Sequence, residues 1–264
     1  MKFTMALLLA AVGFAQTRTV TLPSKSAIIS MRIVWTAGAA QDPADKPGLA
    51  RMTAAMLTRG GSREMTYSQI VDALQPMAAS ISGNADQEMT VFAGRIHSDN
   101  LSAYYKLVRA MLLDPGWRED DFKRLKDEEL NALRVGLRGN NDEELGKEAL
   151  YLSLYKGTPY GHYSGGSVAG IEKITLDDVK QFYKAHYAQS NLILGVAGGY
   201  SSEFLNRMKK DFASLPAKPA GEPIVVKPGS IAHTRATIIE KNTDRKSTRL
   251  NSSHIPLSRM PSSA

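Results

Sequence analysis

The stretch "SAIISMRIVWTAGA" constrains this chain more than any other. Within it Ile29, Met31, Ile33 and Trp35 alternate with Ile28, Ser30, Arg32 and Val34. A period of two places successive side chains on opposite faces of a strand. One face here is wholly apolar and the other mixed, so the strand needs a layer packed against one side only. The preceding "RTVTLP" reads as a second strand, and "AASISGNADQEMTVFAGRI" as a hairpin turning between Gly83-Asn84 and Gln87.

Helical periodicity fills the spaces between these strands. "PGLARMTAAMLTRGGS" predicts a helix opening behind Pro47-Gly48 and closing at Gly60-Gly61. "TYSQIVDALQPM" predicts another, with Thr66 as N-cap and Ile70, Val71 and Leu74 as its apolar stripe. Ser98 is the expected cap of a helix with a Leu101–Tyr105–Val108–Leu112 face that stops at Asp114-Pro115. Further helices are expected from about Arg118 through "EDDFKRLKDEELNALRVGL", from Asp142 to Tyr155, over "TLDDVKQFYKAHY" and over "SSEFLNRMKKDFASLP". "GTPYGHYSGGSVAG" reads as a glycine-rich loop and "NLILGVAGG" as a buried strand. The expected class is α+β: a mainly antiparallel sheet packed against helices.

The two ends read differently from the rest. Residues 1–15 have the build of a secretory signal peptide: Lys2, an apolar run from Met5 to Val12, and small residues before Ala15. The expected product is exported, periplasmic or extracellular, and free of the membrane once the signal is cleaved. From Asp244 the chain reads "DRKSTRLNSSHIPLSRMPSSA", in which "DRKSTRLNSSH" looks like one reading frame of a common sequencing-library adapter and "SRMPSSA" like the constant segment behind its index. The expected division is therefore signal 1–15, a lobe over 16–216, a Pro-rich linker over 217–233, the start of a second lobe over 234–243, and foreign sequence over 244–264.

That division matters for charge. The formal net charge is +7. Arg245, Lys246, Arg249 and Arg259 against Asp244, together with Lys2, supply four of those charges and leave +3 on residues 16–243. A nucleic-acid partner is not expected from so small an excess. The absence of cysteine excludes disulfides and thiolate metal sites.

Three stretches together resemble the pitrilysin/insulinase-type zinc metallopeptidases, the family of the mitochondrial processing peptidases. They are "VWTAGAAQDPADKPGLARMTAAMLTRGGS", then "ISGNADQEMTVFAGRI" with the helix ending in "LLDP", and "EALYLSLYKGTPYGHYSGGSVAGIEKITLDDVKQFYKAHYAQSNLILGVAGGYSSE". The resemblance covers roughly residues 18–240. It implies one lobe of a fold whose lobes usually come in pairs.

The family's chemistry sits in an inverted H-x-x-E-H motif, with two histidines on one helix face binding Zn²⁺ and the glutamate serving as general base. The resemblance places Arg51 and Ala55 at the histidine positions and Ala54 at the glutamate. Glu129, or its neighbour Glu128, falls at the third-ligand position. A guanidinium stays protonated and alanine offers no donor, so no zinc and no cofactor is expected, and no catalytic residue is assigned. His97, His162, His186 and His233 have no ligand-like spacing. Glu128-Glu129 and Glu143-Glu144 read as solvated helix faces, and "GGSVAG" as a packing loop rather than a phosphate loop.

The expected function is that of a non-catalytic subunit. It would pair with a zinc-bearing homologous peptidase subunit and share its peptide substrate. A structural core-type subunit without a peptidase role, and a metallopeptidase with an atypical site, are the alternatives. An independent genomic read is expected to depart from this sequence after residue 243; continuation as "DRKSTRLNSSH" would remove the adapter reading.

Overall fold

A computed structural model of the chain describes residues 17–218, 224–226 and 236–240. The expected signal peptide and adapter segment lie outside these residues, as do His233 and most of the linker. The chain divides into two units, 1–230 and 231–264. All the regular structure among the described residues belongs to the first. Residues 236–240 carry no strand, although "TRATIIEKN" has strand-forming composition.

The strands are β1 (Arg18–Pro23), β2 (Ile28–Trp35), β3 (Ser80–Ala85), β4 (Thr90–His97) and β5 (Leu192–Gly198). They form one sheet in the order β1-β5-β2-β4-β3. β2 pairs antiparallel with both β4 and β5, and β3 antiparallel with β4; β1 and β5 are parallel. The α+β class with a mainly antiparallel sheet is what the structure shows.

Among the described residues eight α-helices accompany the sheet: α1 (Leu49–Arg59), α2 (Tyr67–Leu74), α3 (Leu101–Leu113), α4 (Glu119–Asn131), α5 (Asp142–Leu154), α6 (Val168–Lys173), α7 (Leu176–His186) and α8 (Ser202–Phe212). After α4 the chain continues through a π-helical turn, Ala132–Leu137, and a short helical turn, Arg138–Asn140. Thr66 and Thr175 cap α2 and α7 in reciprocal capping boxes with Gln69 and Asp178.

The apolar face of β2 behaves as its alternation requires, with Ile29, Met31, Ile33 and Trp35 all buried. Trp35 is the hub of the core. Its ring centroid lies 4.7 Å from Tyr187, 5.6 Å from Phe92 and 6.0 Å from Phe212. One side chain thereby joins β2, β4, the end of α7 and α8 through aromatic packing.

Four local expectations are corrected. The hairpin turns at Asp86–Met89, while Gly83 and Asn84 stay inside β3. Gly83 is needed there because a Cβ would meet Thr58 and the Phe92 ring. Ser98 opens a single 3₁₀ turn, and Asn100 precedes α3 instead. The glycine-rich loop ends in a helix, α6, capped by Ser167, whose side chain accepts from the Gly170 N–H. The π-helical turn was not anticipated.

Two glycines distinguish packing from chain flexibility. A Cβ on Gly94 would lie 1.8 Å from the Tyr104 hydroxyl, which donates to the Ser80 carbonyl at 2.8 Å. A Cβ on Gly146, inside α5, would meet nothing within 4 Å. Gly94→Ala should therefore destabilise by about 1–3 kcal/mol through overpacking, and Gly146→Ala should stabilise by about 0.5–1 kcal/mol. Urea denaturation of the two variants beside the parent chain checks both signs.

Candidate functional site

The site is built on α1, whose start is fixed from upstream. Asp42 accepts hydrogen bonds from the N–H groups of Gly48 and Ala50, each at 2.7 Å, and so satisfies two of the unpaired donors of the first turn. Gly48 has φ +108°, and a Cβ there would press on Ile171 and Gly166. The Pro47-Gly48 pair thus sets where the helix begins and how closely the glycine-rich loop approaches it. The carbonyl of Pro47 accepts from the Ser167 N–H at 3.4 Å.

Nine of the eleven residues of α1 are buried. The exceptions are Arg51 and Arg59. With Ala55 between them they recur every four residues and form one ridge. That ridge faces α4. There Phe122, Leu125 and Glu129 share a buried face at helical spacing, which carries the Glu129 carboxylate inward to 5% exposure.

The Glu129 carboxylate is held at both oxygens. Oε2 accepts from Arg51 Nε at 3.2 Å, and Oε1 from Arg59 Nη2 at 2.9 Å. Arg51 also donates through Nη1 to the side-chain oxygen of Asn84 on β3 at 3.2 Å. Arg59 makes a second, short ion pair with Glu128 through Nη1. The other Glu128 oxygen accepts from Arg124 Nη1 at 2.8 Å, while Arg124 Nη2 donates to the Arg59 carbonyl at 2.8 Å and to Asp121 at 3.0 Å. These groups border an open cleft of about 450 Å³ between α1, α4 and β3, also lined by Tyr67 and Ser82.

The residues singled out from the sequence are thus partly brought together. Arg51, Ala55, Glu128 and Glu129 share the cleft, whereas Ala54 is fully buried in the core. Glu143 and Glu144 face Lys147 on α5. His97 lies beside Asp99 at 3.3 Å. His162 Nε2 lies 3.4 Å from Asp42, beneath the start of α1. Burial, aided by Lys218, holds the His186 imidazole below its ordinary range. Among the described residues no cluster of three or more His, Asp or Glu side chains could hold a metal ion.

Arg59, Asn84, Arg124 and Asp42 were missed. Arg59 had a signal: it follows Arg51 by two turns and shares its ridge. Asn84 had none, because its role depends on β3 lying beside α1.

A family profile described as "Peptidase M16 inactive domain" matches residues 173–252. A crystal structure of a peptidase M16 inactive domain from Pseudomonas fluorescens superposes with a TM-score of 0.73 at 25% identity, over 81% of this chain and 52% of that one. The lobe has the fold of a peptidase M16 domain. The chain also resembles a probable mitochondrial-processing peptidase subunit beta from Arabidopsis thaliana, 22% identical over 75% of this chain and 36% of that protein. It shares its fold with the periplasmic protease PqqL from Escherichia coli, with a TM-score of 0.70 at 17% identity over 84% of this chain and 25% of that one. The chain therefore spans about a third of the Arabidopsis relative and about half of the Pseudomonas structure.

Zinc does not fit the residues present on this seam. Glu129 is the one oxygen donor at a motif position, and both its oxygens already hold guanidiniums. Ala54 and Ala55 supply no donor and Arg51 carries the wrong charge. Replacing Arg51 and Ala55 by histidine, with Arg59→Ala to release Glu129, should create an i,i+4 histidine pair opposite a carboxylate. That variant is expected to take up zinc, measured by metal analysis after dialysis, and to lose it on adding Glu129→Ala. A folded variant without zinc would count against this register of the motif on α1.

Proposed function

We propose that this M16-type domain is a non-catalytic subunit of an exported peptidase, acting beside a zinc-bearing homologue on a shared peptide substrate. The observation that carries the reading is the Arg51–Glu129–Arg59 bridge. It occupies the helix seam where the family resemblance puts the metal, while the surrounding lobe keeps its core. A lobe decaying without function would not be expected to retain a buried carboxylate with both oxygens paired.

Two further observations support the setting. The family profile that matches is that of the inactive domain, and the relatives named above are at least about twice the length this chain covers. The apolar N-terminal segment supports export, and a periplasmic protease shares the fold. No helix among the described residues is long and apolar enough to cross a membrane.

Co-expression with a zinc-bearing homologue from the same genome tests the reading. The expected outcome is a stable complex with higher peptide hydrolysis than the homologue alone, and no hydrolysis by this chain alone. A homologue that is fully active by itself and never co-purifies with this chain would overturn it.

A further inference from the structure

We propose that Arg51 and Arg59 are tethered cations that stand in for a metal ion on the α1–α4 seam, stapling α1, α4 and β3 together and leaving the seam no affinity for divalent metal. The starting point is the burial of Glu129. An ionised carboxylate at 5% exposure is costly unless opposite charge and hydrogen bonds compensate it. Here both compensations come from α1, at 3.2 Å and 2.9 Å, one on each oxygen.

The arginines are themselves anchored away from Glu129. Arg51 reaches β3 through Asn84, and Arg59 reaches Glu128. Arg124 closes the circuit, because it binds Glu128, Asp121 and the backbone carbonyl of Arg59. Asp121, Glu128 and Glu129 are thus matched by Arg51, Arg59 and Arg124. The cleft has no surplus charge with which to hold an ionic ligand. A divalent cation approaching Glu129 would have to displace a guanidinium and then sit beside two positive charges.

A metal and a guanidinium pair draw the same elements together by charge, but they differ in what they depend on. A metal adds its binding free energy only while it is supplied. The arginines are part of the chain, so the seam closes as the helices pack. Each arginine side chain is about one-third exposed, while its guanidinium reaches the buried Glu129 carboxylate. This inference does not depend on a partner and stands whether or not the subunit reading holds.

The test uses the purified full chain, its metal content, and thermal unfolding with and without EDTA or added ZnCl₂. The parent chain is expected to hold substoichiometric zinc and to unfold at the same temperature in all three conditions. Arg51→Ala with Arg59→Ala should lower Tm by roughly 5–15 °C, because the buried Glu129 charge is left unpaired. Adding Glu129→Gln to that pair should recover most of the loss. Arg59→Ala alone, with and without Glu129→Gln, repeats the comparison if the double variant does not fold. Loss of the arginine stems alone would lower Tm without rescue by glutamine, and that result would overturn the proposal. Stoichiometric zinc in the parent chain, or a lower Tm in EDTA, would overturn it as well.

Discussion

The enclosure of α1 governs the rest of this fold. A helix with nine of its eleven residues buried needs a neighbour on almost every side. β3 lies along one flank, α7 and α4 along others, and α3 closes part of the remainder. Small residues make this possible: Ala50, Ala54 and Ala55 let the neighbours approach. Thr53 and Thr58 return their hydroxyls to the carbonyls of Leu49 and Ala54 at 2.8 Å and 2.9 Å, so neither brings an unpaired donor into the core. The two long charged side chains that remain must leave by the same side, and both leave toward α4.

That common exit gives the lobe its distinctive chemistry. By the family resemblance, the same ridge would present a metal-binding pair to a carboxylate on α4. Here it presents two guanidiniums to the Glu129 carboxylate, one on each oxygen. The start of α1 is held just as firmly. Asp42 binds its first turn, and the glycine-rich loop packs against Pro47 and Gly48 at a distance a side chain would forbid.

Most of this scaffold was legible in the sequence because it rests on local rules. Alternation in β2 marked the buried face, and Thr66 and Thr175 announced their helices. The failures came where local and tertiary signals disagree. Gly83-Asn84 looks like a turn, yet the pair continues β3 because Gly83 makes room for Phe92 and Thr58. The six residues of α6 follow two glycines and carry too little periodicity to be distinguished from loop. At the site, the resemblance placed Arg51 near Glu129, but pairwise spacing could not show that one carboxylate binds two arginines. That geometry exists because Glu129 falls on the buried face of α4 with Phe122 and Leu125, and because Ala55 keeps the space between the arginines clear.

The sheet order has a consequence for how this lobe is made. β1 lies beside β5, so that Arg18 faces Ile193 and Pro23 faces Gly198. The first strand of the lobe thus finds its partner only when nearly the whole lobe has been synthesised. The β3–β4 hairpin can close early, since its loop is short, and β2 can then join β4. The outer parallel pair must await the longest loop in the unit, at the entropic cost such closures carry. Until then β1, with Val20 and Leu22 exposed even in the finished fold, is an unpaired strand in search of an edge. Its timing, rather than its sequence, leaves that edge unpaired until the last strand of the sheet is made.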